Sequence, residues 1–216
     1  MRELQIMRLK KIPGRKIILE HFDRRDPVIA RVIRDYGPMR LTKNRNYFIV
    51  LCRAIISQQI STKAADSVYK KFDGLFDGRS PNPERVAVLR GSVLRSAGLS
   101  RQKAAYLKDL GEKFLDGTIR PHQLRCLSNE DVIGRLTEVY GIGPWTAEMF
   151  LIFSLNRPDV LPVGDLGLQA AIKNIYGLRQ MPTAKKIRTL GRKWSPLETV
   201  ATWYAWRSID EDIIAY

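Results

Sequence analysis

The sequence predicts an all-helical protein, and two observations support this prediction. Apolar residues recur three and four positions apart along most of the chain, the spacing that places them on one face of an α-helix, and no segment shows convincing strand alternation. Residues that commonly cap helices stand where the periodic segments begin and end. The predicted N-caps are Ser61, Ser128 and Thr183, and the glycines that follow helical segments are Gly117, Gly141 and Gly177.

The periodic segments predict about ten short helices. They cover residues 26–37, 46–59, 61–72, 82–91, 101–117, 129–141, 144–155, 166–177, 183–194 and 196–209. Two proline-containing loops, 79–83 and 157–165, interrupt the series, because proline ends helices. The second loop is a candidate boundary between two helical subdomains.

The net charge favours a polyanionic partner. The chain has 216 residues, with 37 Lys and Arg against 22 Asp and Glu, which gives a formal net charge of +15. Such a surplus is typical of proteins that bind nucleic acid or an acidic membrane surface. No segment approaches the length of a membrane span, and the N-terminal residues do not resemble a cleavable signal. We therefore expect a cytoplasmic, nucleoid-associated location, or a nuclear one in a eukaryote.

Cysteine and histidine are too few for several kinds of chemistry. Cys52 and Cys126 have no thiol or histidine nearby at metal-ligand spacing, and two cysteines cannot supply the four ligands of an iron–sulfur cluster. His21 and His122 are isolated in the sequence, which leaves little material for a catalytic zinc site or a histidine-based triad. Any chemistry must therefore use carboxylates, aromatic residues or the backbone.

Residues 136–150, LTEVYGIGPWTAEMF, are the most informative stretch. A helix is predicted to end at Gly141, to turn through Ile142 and Gly143, and to restart with Pro144, which is a helix-hairpin-helix. The glycines let the backbone approach a phosphate, and the new helix N-terminus directs N–H groups at it. An ordinary tight turn between packed helices would look similar, but the proline and the net charge favour DNA binding.

Asp165 follows the hairpin by about twenty residues and precedes a helix. By itself, an aspartate at this position is a good N-cap. Its combination with the hairpin resembles the helix-hairpin-helix (HhH-GPD) base-excision DNA glycosylases, whose signature is the hairpin, a glycine- or proline-rich loop and an essential aspartate. The chain is most similar to the 3-methyladenine DNA glycosylase II branch. The matching blocks are 53–65, 97–110, 140–153 and 161–172, with a weaker match at 194–206.

The resemblance implies an all-α fold in which two helical subdomains flank a DNA-binding cleft. Residues 1–40 and 160–216 are expected to form one discontinuous subdomain. Residues 41–159, which contain the hairpin (136–150), are expected to form the other.

The resemblance also implies a catalytic role for Asp165. Breaking an N-glycosidic bond leaves positive charge on the deoxyribose, which a carboxylate stabilises. Family members that also cleave the strand carry a lysine two positions after the second hairpin glycine, where it forms a Schiff base. This chain has Trp145 there, so the resemblance implies base release without strand cleavage.

Three further side chains match family positions that handle the extruded base. Gln59 matches the residue that fills the space left by that base. Trp145 and Trp206 match aromatic residues that line the base pocket, where a ring face attracts a cationic base. We assign Trp194 and Trp203 to the core instead.

The backbone of the hairpin is expected to bind phosphate and a cation. The residues that match phosphate contacts are Gly141, Ile142, Gly143 and Thr146. Family members often bind one monovalent cation, Na+ or K+, and the matching main-chain carbonyls are those of Thr137, Val139 and Ile142. No other cofactor is expected to be required.

The sequence is therefore interpreted as a monomeric, monofunctional DNA glycosylase. It would hydrolyse the N-glycosidic bond of alkylated purines of the 3-methyladenine type in double-stranded DNA by base flipping, and leave an abasic site. Two alternatives stay open. One is a non-catalytic helix-hairpin-helix DNA-binding protein in which Asp165 only caps a helix, and the other is a glycosylase for a deaminated, oxidised or mismatched base.

Overall fold

The computed structural model describes residues 11–41 and 44–209, and these residues are all-helical as predicted, with no strand among them. Of the described residues, twelve segments are α-helices and one is a 3-10 turn, Gly74–Phe76. The helices are α1 (Arg15–Arg25), α2 (Pro27–Asp35), α3 (Tyr47–Ser57), α4 (Thr62–Asp73), α5 (Pro83–Val88), α6 (Gly91–Ser96), α7 (Arg101–Leu115), α8 (Asn129–Thr137), α9 (Pro144–Phe153), α10 (Leu166–Ile175), α11 (Ala184–Trp194) and α12 (Glu198–Arg207). Within this part of the chain, no helix has the length and apolarity needed to cross a membrane.

Two helices lie outside the predicted set, and α8 ends four residues earlier than predicted. Helix α1 is rich in charge and buries only Ile18, His21 and Phe22, so its apolar stripe is narrow. Helix α6 begins at a glycine, which is a poor helix former. Helix α8 ends at Thr137 rather than Gly141, because the residues after it already form the turn of the hairpin.

Five of the six capping residues predicted from the sequence do cap helices. The hydroxyl groups of Ser61, Ser128 and Thr183 accept hydrogen bonds from backbone N–H groups at the starts of α4, α8 and α11, at 3.0 to 3.4 Å. Gly117 and Gly177 follow α7 and α10 in the left-handed conformation that ends helices, with φ values of 82° and 60°. Gly141, at φ 87°, does not end a helix, because it lies four residues beyond the end of α8 and belongs to the turn of the hairpin.

The chain divides into two compact units. Of the described residues, the first unit contains 11–41 and 151–209, and the second contains 44–150. The chain returns from the second unit to the first between Phe150 and Leu151, inside α9. The sequence analysis placed this boundary between residues 159 and 160. Prolines mark where a helix ends, but a chain can change packing partners while it is still helical.

The first unit is built around large buried side chains. Helix α12 packs on α2, α10 and α11, and α1 packs on α2 and α11. Phe22, Trp194 and Tyr204 lie in this core with at most 1% of their surface exposed. Trp203 is also buried, so both tryptophans that were assigned to the core lie there.

A buried carboxylate joins three parts of the first unit. Asp26 is 2% exposed and caps α2 by accepting a hydrogen bond from the Ile29 N–H. Its second oxygen accepts hydrogen bonds from the Tyr176 hydroxyl at 2.6 Å and from the Trp194 indole N–H at 3.0 Å. Burial, together with the hydrogen bond to the Asp26 carboxylate, raises the pKa of Tyr176 well above its usual range. Asp26 thus ties the start of α2 to the end of α10 and to α11.

The second unit is built around α7, which packs on α3, α5 and α6. Gly111 lets α7 approach α5 closely, because a Cβ at this position would lie 2.9 Å from the Pro83 carbonyl oxygen. Cys52 on α3 is completely buried, and this burial raises the pKa of its thiol. The unit therefore provides a closely packed support for the hairpin between α8 and α9.

Candidate active site

The hairpin between α8 and α9 is formed by a glycine turn followed by a new helix. The Ile142 N–H donates to the Val139 carbonyl at 3.0 Å and closes the turn, while Gly141 adopts its left-handed conformation. Pro144 then begins α9, and the Ala147 N–H donates to the Gly143 carbonyl at 3.1 Å. The backbone thus forms the helix-hairpin-helix expected from the sequence.

Helix α7 holds the turn of this hairpin in place. The Asp109 carboxylate accepts a hydrogen bond from the Tyr140 N–H at 2.7 Å, and the rings of Tyr106 and Tyr140 make an edge-to-face contact with centroids 5.0 Å apart. The Tyr106 ring lies so close to Gly141 that a Cβ there would overlap it. Glycine is therefore required at this position both for its conformation and for its lack of a side chain.

We expect Gly141→Ala to destabilise the second unit by about 2–3 kcal/mol, because the new methyl group must displace the Tyr106 ring while the backbone keeps a positive φ. Thermal unfolding followed by circular dichroism would measure the effect. The matched control is the same substitution in a Tyr106→Ala background, where only the conformational cost of about 1 kcal/mol should remain. An equal loss in both backgrounds would contradict the role of the ring.

Gln59 lies in an exposed loop after α3 with its backbone in the left-handed region, at φ 58°. This conformation is uncommon for a residue other than glycine and marks a strained loop. The preceding residue, Gln58, donates from its side-chain amide to the Gly141 carbonyl at 2.9 Å. The structure therefore connects the Gln59 loop with the hairpin, which the sequence analysis did not predict.

The other predicted residues of the second unit have different exposures. Trp145, the second residue of α9, is 41% exposed, as a base-contacting ring would need to be. The side chains of Ile142 and Thr146 are buried, and the Ile142 N–H already donates to the Val139 carbonyl, so a phosphate contact from Thr146 would come from its backbone N–H group. Among the described residues, no group of three or more His, Cys, Asp and Glu side chains is placed to hold a metal ion.

Asp165 is a buried carboxylate at the N-terminus of α10 in the first unit. It is 8% exposed, and its Oδ1 atom accepts a hydrogen bond from the Leu168 N–H at 2.5 Å, which makes it the N-cap. The same oxygen accepts a hydrogen bond from the Trp206 indole N–H at 2.8 Å. Two donors from different helices therefore fix the orientation of this carboxylate.

Phe153 and Gly167, which the sequence analysis did not identify, pack around the contact between Asp165 and Trp206. The Phe153 ring stacks on the Trp206 ring with an interplanar angle of 17° and a centroid separation of 6.0 Å. A Cβ on Gly167 would lie 3.2 Å from the Asp165 Oδ1 atom and 3.4 Å from the Trp206 ring. The glycine two positions after Asp165 was a signal in the sequence, whereas nothing there predicted the contact of Phe153 with a ring over fifty positions away.

A glycine hairpin, followed along the chain by a buried aspartate that caps a helix, defines a helix-hairpin-helix protein. The chain belongs to the HhH-GPD superfamily of base excision DNA repair proteins, whose family model matches residues 52–196. This match includes both the hairpin and Asp165, so it confirms the family predicted from the sequence blocks.

Individual relatives are similar over most of the chain. DNA-3-methyladenine glycosylase 1 of Schizosaccharomyces pombe is 34% identical over 182 residues, which cover 83% of this chain and 80% of that protein. A crystal structure of a DNA-3-methyladenine glycosidase from Bacillus halodurans superimposes with a TM-score of 0.82 at 36% identity, and covers 88% of each chain. The 3-methyladenine DNA glycosylase of Schizosaccharomyces pombe in complex with abasic DNA superimposes with a TM-score of 0.74 at 33% identity, over 94% of this chain and 98% of that chain.

Proposed function

We propose that this protein is a DNA-3-methyladenine glycosylase that removes alkylated purines from duplex DNA and leaves the strand intact. The observation that carries this proposal is the buried Asp165, which caps α10 and accepts a hydrogen bond from Trp206. The HhH-GPD family membership and the activity named for the similar glycosylases support it. The abasic DNA bound by one of these relatives is what remains after a base has been released.

Asp165 would act on the sugar rather than on the leaving base. As the N-glycosidic bond breaks, positive charge develops on the deoxyribose, and a fixed carboxylate nearby lowers the free energy of that transition state. The Leu168 and Trp206 donors hold Oδ1 before substrate binds, so little reorganisation is needed during the reaction. The carboxylate can also orient the attacking water. An alkylated purine is already cationic, so it leaves without a strong general acid.

The exposed residues of the second unit would hold the DNA and the extruded base. The hairpin backbone would bind phosphate through the N–H groups of Gly141, Gly143 and Thr146, while the Ile142 N–H closes the turn. Gln59 would fill the space in the stack, and the Trp145 ring would attract a cationic base. In the first unit, the partly buried Trp206 ring offers a second aromatic face to such a base. The strained backbone and exposure of Gln59, together with the exposure of Trp145, support these assignments.

The hairpin carbonyls are suited to a monovalent cation, for which carbonyl oxygens are good ligands. Val139 and Ile142 lie in the tight turn, and the Val139 carbonyl, which accepts one hydrogen bond from the Ile142 N–H, has a second lone pair. With Thr137, these residues would hold Na+ or K+, which would contribute positive charge beside a DNA phosphate.

The absence of a lysine at the Schiff-base position supports base release without strand cleavage, because Trp145 offers no amine. The test is to incubate the protein with methylated duplex DNA, to quantify free 3-methyladenine, and to measure strand nicking before alkaline treatment. Borohydride should trap no covalent complex. Release of 3-methyladenine without nicking would support the proposal. Binding of the DNA without base release would favour a non-catalytic binding protein or a glycosylase for another lesion.

We expect Trp206→Phe to slow base release about tenfold, since it removes one hydrogen bond to the charged oxygen of Asp165. The phenylalanine ring can still stack on Phe153, so the thermal unfolding midpoint should change little. Single-turnover rates with enzyme in excess would measure the effect. A rate equal to that of the wild type would show that the indole N–H is not needed to orient the carboxylate.

A further inference from the structure

A lysine of another helix binds the backbone at the start of the loop that carries Gln59. The Lys103 ammonium, on α7, donates hydrogen bonds to the Ile56 and Gln58 carbonyls, each at 2.7 Å. These two carbonyls lie at the end of α3, where the last carbonyls of a helix lack partners within it. A cation is also favoured there by the helix dipole. Lys103 therefore stabilises the end of α3 on which the loop is built.

The Lys103 ammonium binds backbone carbonyls rather than a carboxylate. Of the described residues, no carboxylate lies within salt-bridge distance of its ammonium group. The side chain is partly buried, and this desolvation lowers the pKa of Lys103. Partial burial of a cation without a counter-charge is unfavourable, so the carbonyl contacts must offset that cost.

A second contact ties the same loop to the hairpin. The Gln58 side chain donates to the Gly141 carbonyl at 2.9 Å, so the residue before Gln59 is held through its backbone by Lys103 and through its side chain by the turn. The Ile60 N–H closes the loop by donating to the Ser57 carbonyl at 3.4 Å. Gln59, between these fixed neighbours, keeps its left-handed conformation and its exposed side chain.

We propose that Lys103 is a positioning residue that holds the Gln59 loop, before DNA binds, in the conformation used to fill the gap left by an extruded base. The functional part of this inference rests on the proposed glycosylase function, whereas the structural part concerns the free protein alone. Preorganisation matters because the side chain must replace a base at the moment of extrusion. If the loop became ordered only at that moment, the conformational entropy that it loses would add to the free energy needed to unstack the base.

The first test uses the free protein and needs no activity. Lys103→Met keeps an unbranched side chain that is one atom shorter, but it removes the charge and the donors. We expect amide hydrogen exchange at Ile60 to rise about tenfold, in line with the loss of a charge-assisted hydrogen bond. Lys108→Met is the matched control, because it removes the same charge from the same helix on a face roughly 140° away. Unchanged exchange at Ile60 in Lys103→Met would overturn the proposal.

The second test asks whether Lys103 acts through Gln59. Affinity for duplex DNA that contains an abasic site should fall about tenfold in Lys103→Met, and Lys103→Arg, which keeps the charge and the donors, should restore most of it. In a Gln59→Ala background, the Lys103→Met substitution should have little further effect, because the side chain that it positions is already missing. Independent, additive losses would overturn the positioning role.

Two measurements separate failure of this inference from failure of the proposed function. If Lys103→Met does not fold, Gln58→Ala tests the same loop through its contact with Gly141 and should raise exchange at Ile60 in the same way. If the wild-type protein releases no alkylated base, the proposed function fails, yet the exchange experiment still decides whether Lys103 fixes the loop.

Discussion

Asp165→Asn is expected to abolish most base release while leaving the protein folded. Asparagine is as good an N-cap as aspartate, so the hydrogen bond from Leu168 can be kept and the stability should change by less than about 0.5 kcal/mol. The Trp206 indole can also still donate to the side-chain oxygen. What disappears is the negative charge that, in the proposed mechanism, stabilises the developing charge on the sugar. Since such preorganised electrostatic stabilisation is worth about 10²–10³ in rate, we expect a loss of that size.

Single-turnover release of 3-methyladenine from methylated duplex DNA would measure this loss. Asp35→Asn is the matched control, because it makes the same chemical change at an exposed position of the same unit and should keep the wild-type rate. Binding to abasic-site DNA should be retained in both variants. A rate within tenfold of the wild type in Asp165→Asn would remove Asp165 from the proposed mechanism.

The largest loss of stability is expected at Asp26. Asp26→Ala removes the N-cap of α2 and leaves the partly buried hydroxyl of Tyr176 and the buried N–H of Trp194 without their acceptor. Leaving buried polar groups unpaired is costly, so we expect a loss of about 3–5 kcal/mol. Urea unfolding followed by tryptophan fluorescence would report mainly on the first unit, which contains three of the four tryptophans, Trp194, Trp203 and Trp206.

Two variants calibrate the result at Asp26. Asp26→Asn keeps an acceptor and the cap, and it should lose less than half as much stability. Asp23→Ala removes a carboxylate from the same helical region, but its ion pair with Arg34 is exposed and should contribute at most about 1 kcal/mol. Similar losses for Asp23→Ala and Asp26→Ala would show that the buried network around Asp26 does not carry the stability assigned to it.

The sequence predicted those features that depend on local patterns. Helical periodicity and capping residues act within a few positions, which is why the helices around Ser61, Ser128 and Thr183 begin where expected. The hairpin was predicted for the same reason, because its glycines and Pro144 are adjacent in the chain. Asp165 was visible as an N-cap, and only the resemblance to a family gave it a catalytic interpretation.

Contacts between distant residues could not be predicted in this way. The bonds of Asp26 to Tyr176 and Trp194 span 150 and 168 positions, and that of Trp206 to Asp165 spans 41. The family resemblance predicted that Trp206 lines the base pocket, and the hydrogen bond from its indole N–H to the Asp165 carboxylate was not part of that prediction. Similarly, nothing in the local pattern showed that Lys103 would reach the end of α3. Such contacts follow from tertiary packing, which periodicity does not encode.

Burial of Cys52 has a consequence for the conditions in which such a protein would work. Agents that alkylate DNA bases are electrophiles, and the thiolate form of cysteine reacts with them readily because it is a strong nucleophile. Cys52 lies fully buried on α3, and its raised pKa keeps the thiol protonated, so it offers little to such agents. Cys126, the other cysteine of the chain, is exposed and would be modified first. The packing of the second unit thus shields one of its own nucleophiles from the chemistry that creates the damage.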